Sequence, residues 1–272
     1  EFVLSTLSTY LVGNAVFQWS IIMSLMLFSM GVGSRLSKHI HTNLLEAFIL
    51  AEFLLSILCA GSVVGAYALM PFVSEQINIV IYFLAVVIGG LIGCEIPLVT
   101  RINQTYEELK GNIASVMEKD YYGSLLGGLF FAFFALPYLG LTYTPVVLGS
   151  INFFVAALLL FFYSNMLKHK AIIQFASVLC MVSLIGIGIM SPSVIVYGEQ
   201  RQYLDKIILV EQTAYQKIVV TQWKDYHWLY INGQEQFSTY DEEKYHEPLV
   251  HPAMIMTQSR RRVLILGGGD GL

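Results

Sequence analysis

Residues 77–99 read INIVIYFLAVVIGGLIGCEIPLV, a run of 23 residues whose single charged side chain is Glu95. A helix rising 1.5 Å per residue needs about 20 residues to cross hydrocarbon, and within lipid only a helix or a closed barrel satisfies every peptide N–H and C=O. The run is therefore expected to be a membrane-spanning helix. Working outward, similar stretches lie at 44–70 and 121–140, and beyond them at 15–34, 143–166 and 171–190, which makes six expected spans. Residues 2–12 are apolar but too short to span, and are expected to be the end of a helix that begins upstream. A secretory signal peptide would account for one of these segments at most. The connections are expected at 35–43, 71–76, the polar stretch 101–120, a tight turn near Gly140, and Lys168-His169-Lys170.

Composition supports two solvents within one chain. Hydrophobic residues make up 56%, charged residues 12%, and the mean hydropathy is +0.65. Residues 1–190 carry 9 acidic and 7 basic side chains, whereas the 82 residues of 191–272 carry 10 and 8. The net charge of −4 argues against a nucleic-acid partner. Cys59, Cys94 and Cys180 lie in apolar runs without metal-ligand spacing, so they read as small buried hydrophobes and no metal site is expected.

Glycines at Gly61/Gly65, Gly89/Gly93 and Gly123/Gly127 are spaced by four, which lets helix backbones approach closely. Tight packing explains them; a glycine-lined passage is the alternative. Carboxylates within apolar spans are costly and face the bundle interior, water or the headgroup boundary. Glu52 is the deeper of the candidates and a possible ligand site. Glu95, beside the expected helix-ending Pro97 and near Arg101, fits an interfacial structural role as well as ligand binding.

After Ser191-Pro192 the pattern changes. Residues 206–210, 215–221 and 226–231 are short β-branched and aromatic runs, and Asn232-Gly233 is a hairpin turn signal before 234–237. Tyr226, Trp228 and Tyr230 alternate as one face of a sheet rather than as a base-stacking platform. Residues 241–257 read as a helix with acidic residues at its start and Pro248 and Pro252 interrupting or bending it. His227 and His251 read as packing or structural residues. Val263-Leu264-Ile265-Leu266 is a short buried-strand signature, and Gly267-Gly268-Gly269-Asp270-Gly271 follows it. Such a loop fits a nucleotide or adenosyl-cofactor turn in a doubly wound domain, and also a plain turn.

Four separated pieces of this region resemble the spermidine synthase family, the polyamine aminopropyltransferases: E-x-x-x-Y-Q-K-I at 211–218, L-Y-I-N-G-x-x-Q at 229–236, D-E-x-x-Y-H-E-x-L-x-H at 241–251 and V-L-I-L-G-G-G-D-G at 263–271. The apolar part is similar, more diffusely, to the N-terminal domain of membrane-anchored members, through YLVGNAVFQWS from Tyr10, MGVGSRLS from Met30, GCEIPLVTRI from Gly93 and DYYGSLLGGLFF from Asp120. The resemblance implies transfer of an aminopropyl group from decarboxylated S-adenosylmethionine, a co-substrate and not a prosthetic group, to putrescine or a similar amine, without a metal. It further implies that Gln216 contacts the donor and that Gln236 and Tyr245 line the donor or amine pocket. His246 would lie near the donor. Gly267, Gly268, Gly269, Asp270 and Gly271 would form the cofactor loop, with Asp270 facing the aminopropyl end.

The family's ribose-binding acid, adenine contacts and catalytic aspartate would lie downstream of the loop, so no catalytic residue is expected within the chain. It reads as a fragment, inactive alone. Leu272 stands where the family has another glycine.

The expected fold is a mainly α-helical polytopic membrane bundle (1–195), then a small antiparallel β module (196–240), then the first strand of a truncated Rossmann-like α/β domain (241–272). The lipid bilayer is the expected partner, a homo-oligomer is compatible with the sequence, and the location is an integral protein of the cell (inner) membrane. The adenosyl donor argues for a cytoplasmic soluble part. Loop charges argue the reverse, because Arg35/Lys38, Arg101/Lys110/Lys119 and Lys168/Lys170 alternate with charge-poor loops. Two other functions fit: a polyamine or small-cation transporter with a transferase-like sensory part, in which Glu52 and Glu95 recognise the cation, or a different S-adenosyl-dependent transferase.

Overall fold

A computed structural model describes residues 1–73, 76–104, 108–213 and 216–267. Helix α1 (Phe2–Val12) leads into α2 (Ala15–Ser37), α3 (Leu44–Val73) and α4 (Ile77–Asn103). Helix α5 (Leu109–Phe130) runs into a π-helical stretch (Phe131–Leu139), and Gly140, at φ 61°, opens α6 (Gly140–Phe162). After α7 (Lys170–Gln202) come four strands, β1 (Lys206–Gln212), β2 (Lys217–Trp223), β3 (Tyr226–Ile231) and β4 (Gln234–Ser238), and then α8 (Glu243–Met256). Five helical stretches, counting 109–162 as one, are long and apolar enough to cross a membrane.

Helices α2 and α4 pack along each other, and α3 packs against both α6 and α7. Glycine sets the first contact. A β-carbon on Gly33 would overlap the carbonyl of Gly90, and one on Gly93 would overlap the backbone of Met30. The expected four-residue glycine seam thus forms at Gly89/Gly93, whereas a β-carbon on Gly65, Gly123 or Gly127 would meet nothing within 4 Å. Gln18 ties three helices together, accepting from Ser8 Oγ of α1 at 2.7 Å and from Tyr82 Oη of α4 at 2.8 Å. A second core, with Ile49, Phe53, Ala156 and Ile173, fills the space among α3, α6 and α7. The outward faces carry exposed Phe28, Phe83, Phe133, Phe161 and Phe175.

Within the bundle, three helices depart from the sequence expectation. Pro97 does not end its helix: α4 continues to Asn103, and the Arg101 side chain, donating to Pro97 O at 3.2 Å and to Ile40 O and Ser37 O at 2.8 Å each, caps the end of α2 across the seam. The polar 109–120 is helical rather than a connection, anchored by buried Asn112, whose Nδ2 donates to Thr100 O at 2.6 Å. Helix α7 continues through Pro192 to Gln202, because Gly198 sits against the Tyr67 backbone and Glu199 is paired from the sheet. The boundary at 195/196 falls inside it.

The sheet is antiparallel in the order β1-β2-β3-β4. Asn232 (φ 50°) and Gly233 (φ 76°) make the β3–β4 turn, both positive as a two-residue hairpin of primed type requires. Pro248 and Pro252 lie within an uninterrupted α8. Residues 263–266 do not form a strand: they are exposed coil, since an isolated strand has no ladder to satisfy its peptide groups.

Candidate functional site

The β3–β4 hairpin and α8 converge on Phe237. Its ring stacks on Tyr245 with centroids 5.7 Å apart and meets His246 edge-on at 5.4 Å, while Tyr245 and His246 touch at 5.0 Å. Ser238 Oγ donates to Asp241 Oδ1 at 2.6 Å and fixes the approach to α8. That hydrogen bond favours the ionised form and holds the Asp241 carboxyl below its ordinary value. Glu242 Oε1 lies 3.5 Å from His246 Nδ1. Half-buried Gln236, next to Phe237 on β4, donates from Nε2 to Gln234 O at 3.3 Å. An aromatic shelf rimmed by carboxylates can hold a cation by its electrostatics.

Gln216 lies apart from that shelf in sequence and element, in the β1–β2 turn. Its N–H donates to Thr213 Oγ1 at 3.0 Å and its carbonyl accepts from Thr213 N–H at 3.0 Å, which leaves the backbone held and the side chain half-buried. Gly267, at φ 94°, has open space around it. Gly268, Gly269, Asp270 and Gly271 lie outside the described residues.

Where the sheet meets the helices, β2 sends Lys217 into the bundle. Lys217 is 4% exposed, Glu199 of α7 7% and Tyr67 of α3 2%. Lys217 Nζ pairs with Glu199 Oε1 and lies 3.2 Å from Tyr67 Oη, which itself donates to Glu199 Oε1 at 3.3 Å. Beside them Tyr203 packs on Tyr230 with centroids 4.7 Å apart, and burial pushes the Tyr203 phenol up to about 12.

The membrane-domain candidates are separated by partner. Glu52 is buried in α3 and makes no hydrogen bond or ion pair among the described residues. Glu95 lines a cavity of about 420 Å³ with Asn103, Lys119 and Asp120. Glu46, at the start of α3, instead bridges to the start of α7, accepting from His169 N at 2.7 Å and lying 2.9 Å from its Nδ1. Among the described residues no group of three or more His, Cys, Asp or Glu could hold a metal ion.

Along its whole length the chain is 46% identical to "Polyamine aminopropyltransferase 2" of Aquifex aeolicus, over 275 residues that are 54% of that protein. It is 39% identical over 274 residues to "Polyamine aminopropyltransferase" of Leptospira interrogans, again 54% of the relative, and 33% identical over 286 residues to the protein of that name from Mycobacterium tuberculosis. The chain belongs to the polyamine aminopropyltransferase family. It spans about half the length of the curated relatives it matches. No family model and no solved structure matches it.

Membership of that family covers helices and sheet together, so the junction between them belongs to the aligned unit. Sequence reasoning used the YQKI motif for Gln216 and passed over its neighbour. The available signal was the alternation of β2, which puts Lys217 on one face with buried Val219 and Thr221, a place where lysine is almost never found unpaired. Nothing in the sequence assigned its partners, Glu199 and Tyr67, which lie in other elements.

Proposed function

We propose that the parent protein is a membrane-bound aminopropyltransferase that moves the aminopropyl group of decarboxylated S-adenosylmethionine to putrescine. The observation that carries this is the alignment of the whole chain, helices and sheet alike, with aminopropyltransferases at up to 46% identity. The sulfonium-bound carbon of such a donor is already activated. The protein's work is to align a deprotonated amine for in-line attack and to surround cationic amines with negative charge. Tyr245 and His246 on their Phe237 support, with Gln236 beside it, are proposed to line the donor or amine pocket. Gln216 is proposed to contact the donor, and Gly267 to Gly271, with Asp270, to form its loop.

The helices are proposed to span the cell membrane. Their outward phenylalanines, up to 82% exposed, would find an apolar solvent there, and the close glycine seam suits packing in lipid. The sheet packs at the bundle end that carries Gly13, Gly140 and the end of α7, opposite Arg35, Lys38, Arg101, Lys168 and Lys170. Loop charge therefore supports a sheet outside the cytoplasm, and the intracellular donor supports one inside. Membrane-impermeant thiol labelling of Lys224→Cys and Lys168→Cys in intact cells decides between them, since only the outward cysteine reacts.

Activity is tested on the full-length protein in proteoliposomes supplied with donor and putrescine, with methylthioadenosine and spermidine read by mass spectrometry. Equal amounts of both are expected; no product from folded protein overturns the reading. Transport of a polyamine by the helices is a second reading, favoured by the cavity that joins Glu95 to Asp120 between α4 and α5. Uptake of labelled putrescine into the same liposomes without donor tests it.

A further inference from the structure

The junction of bundle and sheet forms an open-sided cavity of about 480 Å³, a size typical of small-molecule sites. It is lined by Glu199 and Lys217 and by residues from the end of the π-helical stretch, the start of α6, α7 and β1. The polar atoms left over define its chemistry. Lys217 Nζ is engaged by Glu199 Oε1 and Tyr67 Oη. Gln200 is engaged at both ends of its amide, donating to Asp205 O at 2.8 Å and accepting from Ile207 N at 3.0 Å. Gln212 donates to Tyr10 Oη at 3.2 Å. Four side-chain acceptors on lining residues remain without a hydrogen bond among the described residues, Glu199 Oε2, Gln212 Oε1, Thr142 Oγ1 and Tyr138 Oη, and of these only the Glu199 carboxylate carries charge. The rest of the wall is largely aliphatic, with Ile195, Val196, Ile207 and Val210.

A carboxylate oxygen on a side chain only 9% exposed, on a residue lining a cavity whose lysine is already occupied, is a receptor for positive charge. Aliphatic walls beside it suit methylenes rather than a hydrated metal ion. We propose that this cavity is a binding site for a protonated alkylamine, with an ammonium group on Glu199 Oε2 and Gln212 Oε1 and its carbon chain along Ile207 and Val210. The site is separate from the Phe237 shelf and does not depend on the transferase reading. Gln212 at the end of β1 and Lys217 at the start of β2, which flank the β1–β2 connection, both line it.

The test is equilibrium dialysis of the full-length protein in detergent against radiolabelled putrescine. Glu199→Gln removes the receptor but leaves Lys217 buried without a counter-charge, so Val210→Trp, which fills the cavity and leaves the charged cluster intact, is the deciding variant. At least one equivalent of putrescine is expected in the parent protein, and Val210→Trp is expected to weaken one equivalent at least tenfold with an unchanged unfolding temperature. Gln212→Leu should weaken the same equivalent. No putrescine bound by the folded parent protein, or binding left unaltered in both Val210→Trp and Gln212→Leu, overturns the proposal.

Discussion

The seam between α2 and α4 and the junction between bundle and sheet are held together by opposite means. At the seam, Gly33, Gly89 and Gly93 remove side chains so that backbone meets backbone, with only the weak contact of Cys94 Sγ to Gly33 O at 3.2 Å beside them, and the strong hydrogen bonds, Tyr82 to Gln18 and Arg101 to Ser37 O and Ile40 O, lie towards its two ends. At the junction, a lysine, a carboxylate and a phenol are buried together. A seam built on shape tolerates charge nowhere and added volume badly. A junction built on charge tolerates the loss of both partners far better than the loss of one.

The largest effect expected from breaking this comparison is therefore at the junction. Lys217→Met leaves Glu199 buried and unpaired and should cost about 3–5 kcal/mol, read by chemical denaturation of the full-length protein in detergent. Glu199→Leu combined with Lys217→Met should recover most of that loss. If the double variant is as unstable as the single one, the pair does not act as a unit.

At the seam the expected cost is smaller and depends on position. Gly93→Ala drives a β-carbon into the Met30 backbone and should cost about 1–3 kcal/mol, because two helices must separate. Gly123→Ala, with nothing within 4 Å of the new atom, should be neutral or gain up to about 1 kcal/mol from helix propensity. Equal effects at the two glycines would mean that the four-residue spacing, and not the contact, is what matters. Next in size is Gly233→Ala in the hairpin turn. A residue with a β-carbon is strained at φ 76°, and its new atom would stand 3.1 Å from Tyr10 O, so a loss of about 1–2 kcal/mol is expected, with the sheet loosening from α1 first in hydrogen exchange.

Local periodicity made the helices and strands legible, and the motifs singled out Gln216, Gln236, Tyr245 and His246 as candidates. Pairings between distant elements were not legible. The junction joins residues 132 and 150 positions apart in sequence, Tyr67 to Glu199 and Tyr67 to Lys217, and no local pattern announces such a meeting. The ends of α4 and α7 were misjudged for a related reason. Proline and polar residues argue locally for termination, but Arg101 capping a neighbouring helix and Glu199 paired from β2 hold the helices beyond those signals. The strand expected at 263–266 is absent because β structure is a property of pairs, and its partner is not among the described residues.

The smallest expected effect tests the Phe237 shelf through pH. Ser238 Oγ donates to Asp241 at 2.6 Å, and the carboxyl is held below its ordinary value of 3.8 chiefly by that bond. A depressed folded value means that the stabilisation is fully present above the unfolded value and is lost as pH falls through the folded one. Amide exchange at the start of α8, where Lys244 N–H donates to Asp241 O at 3.0 Å, should therefore be protected at pH 5 and rise below pH 3.8. Asp241→Asn should flatten that dependence while leaving the sheet amides unchanged. Because the carboxyl is open to solvent, added salt should weaken the Lys244 part of the effect, at 3.5 Å, and leave the Ser238 part in place. A profile that follows pH equally in both proteins would assign the ordering of Tyr245 and His246 to their packing on Phe237 alone.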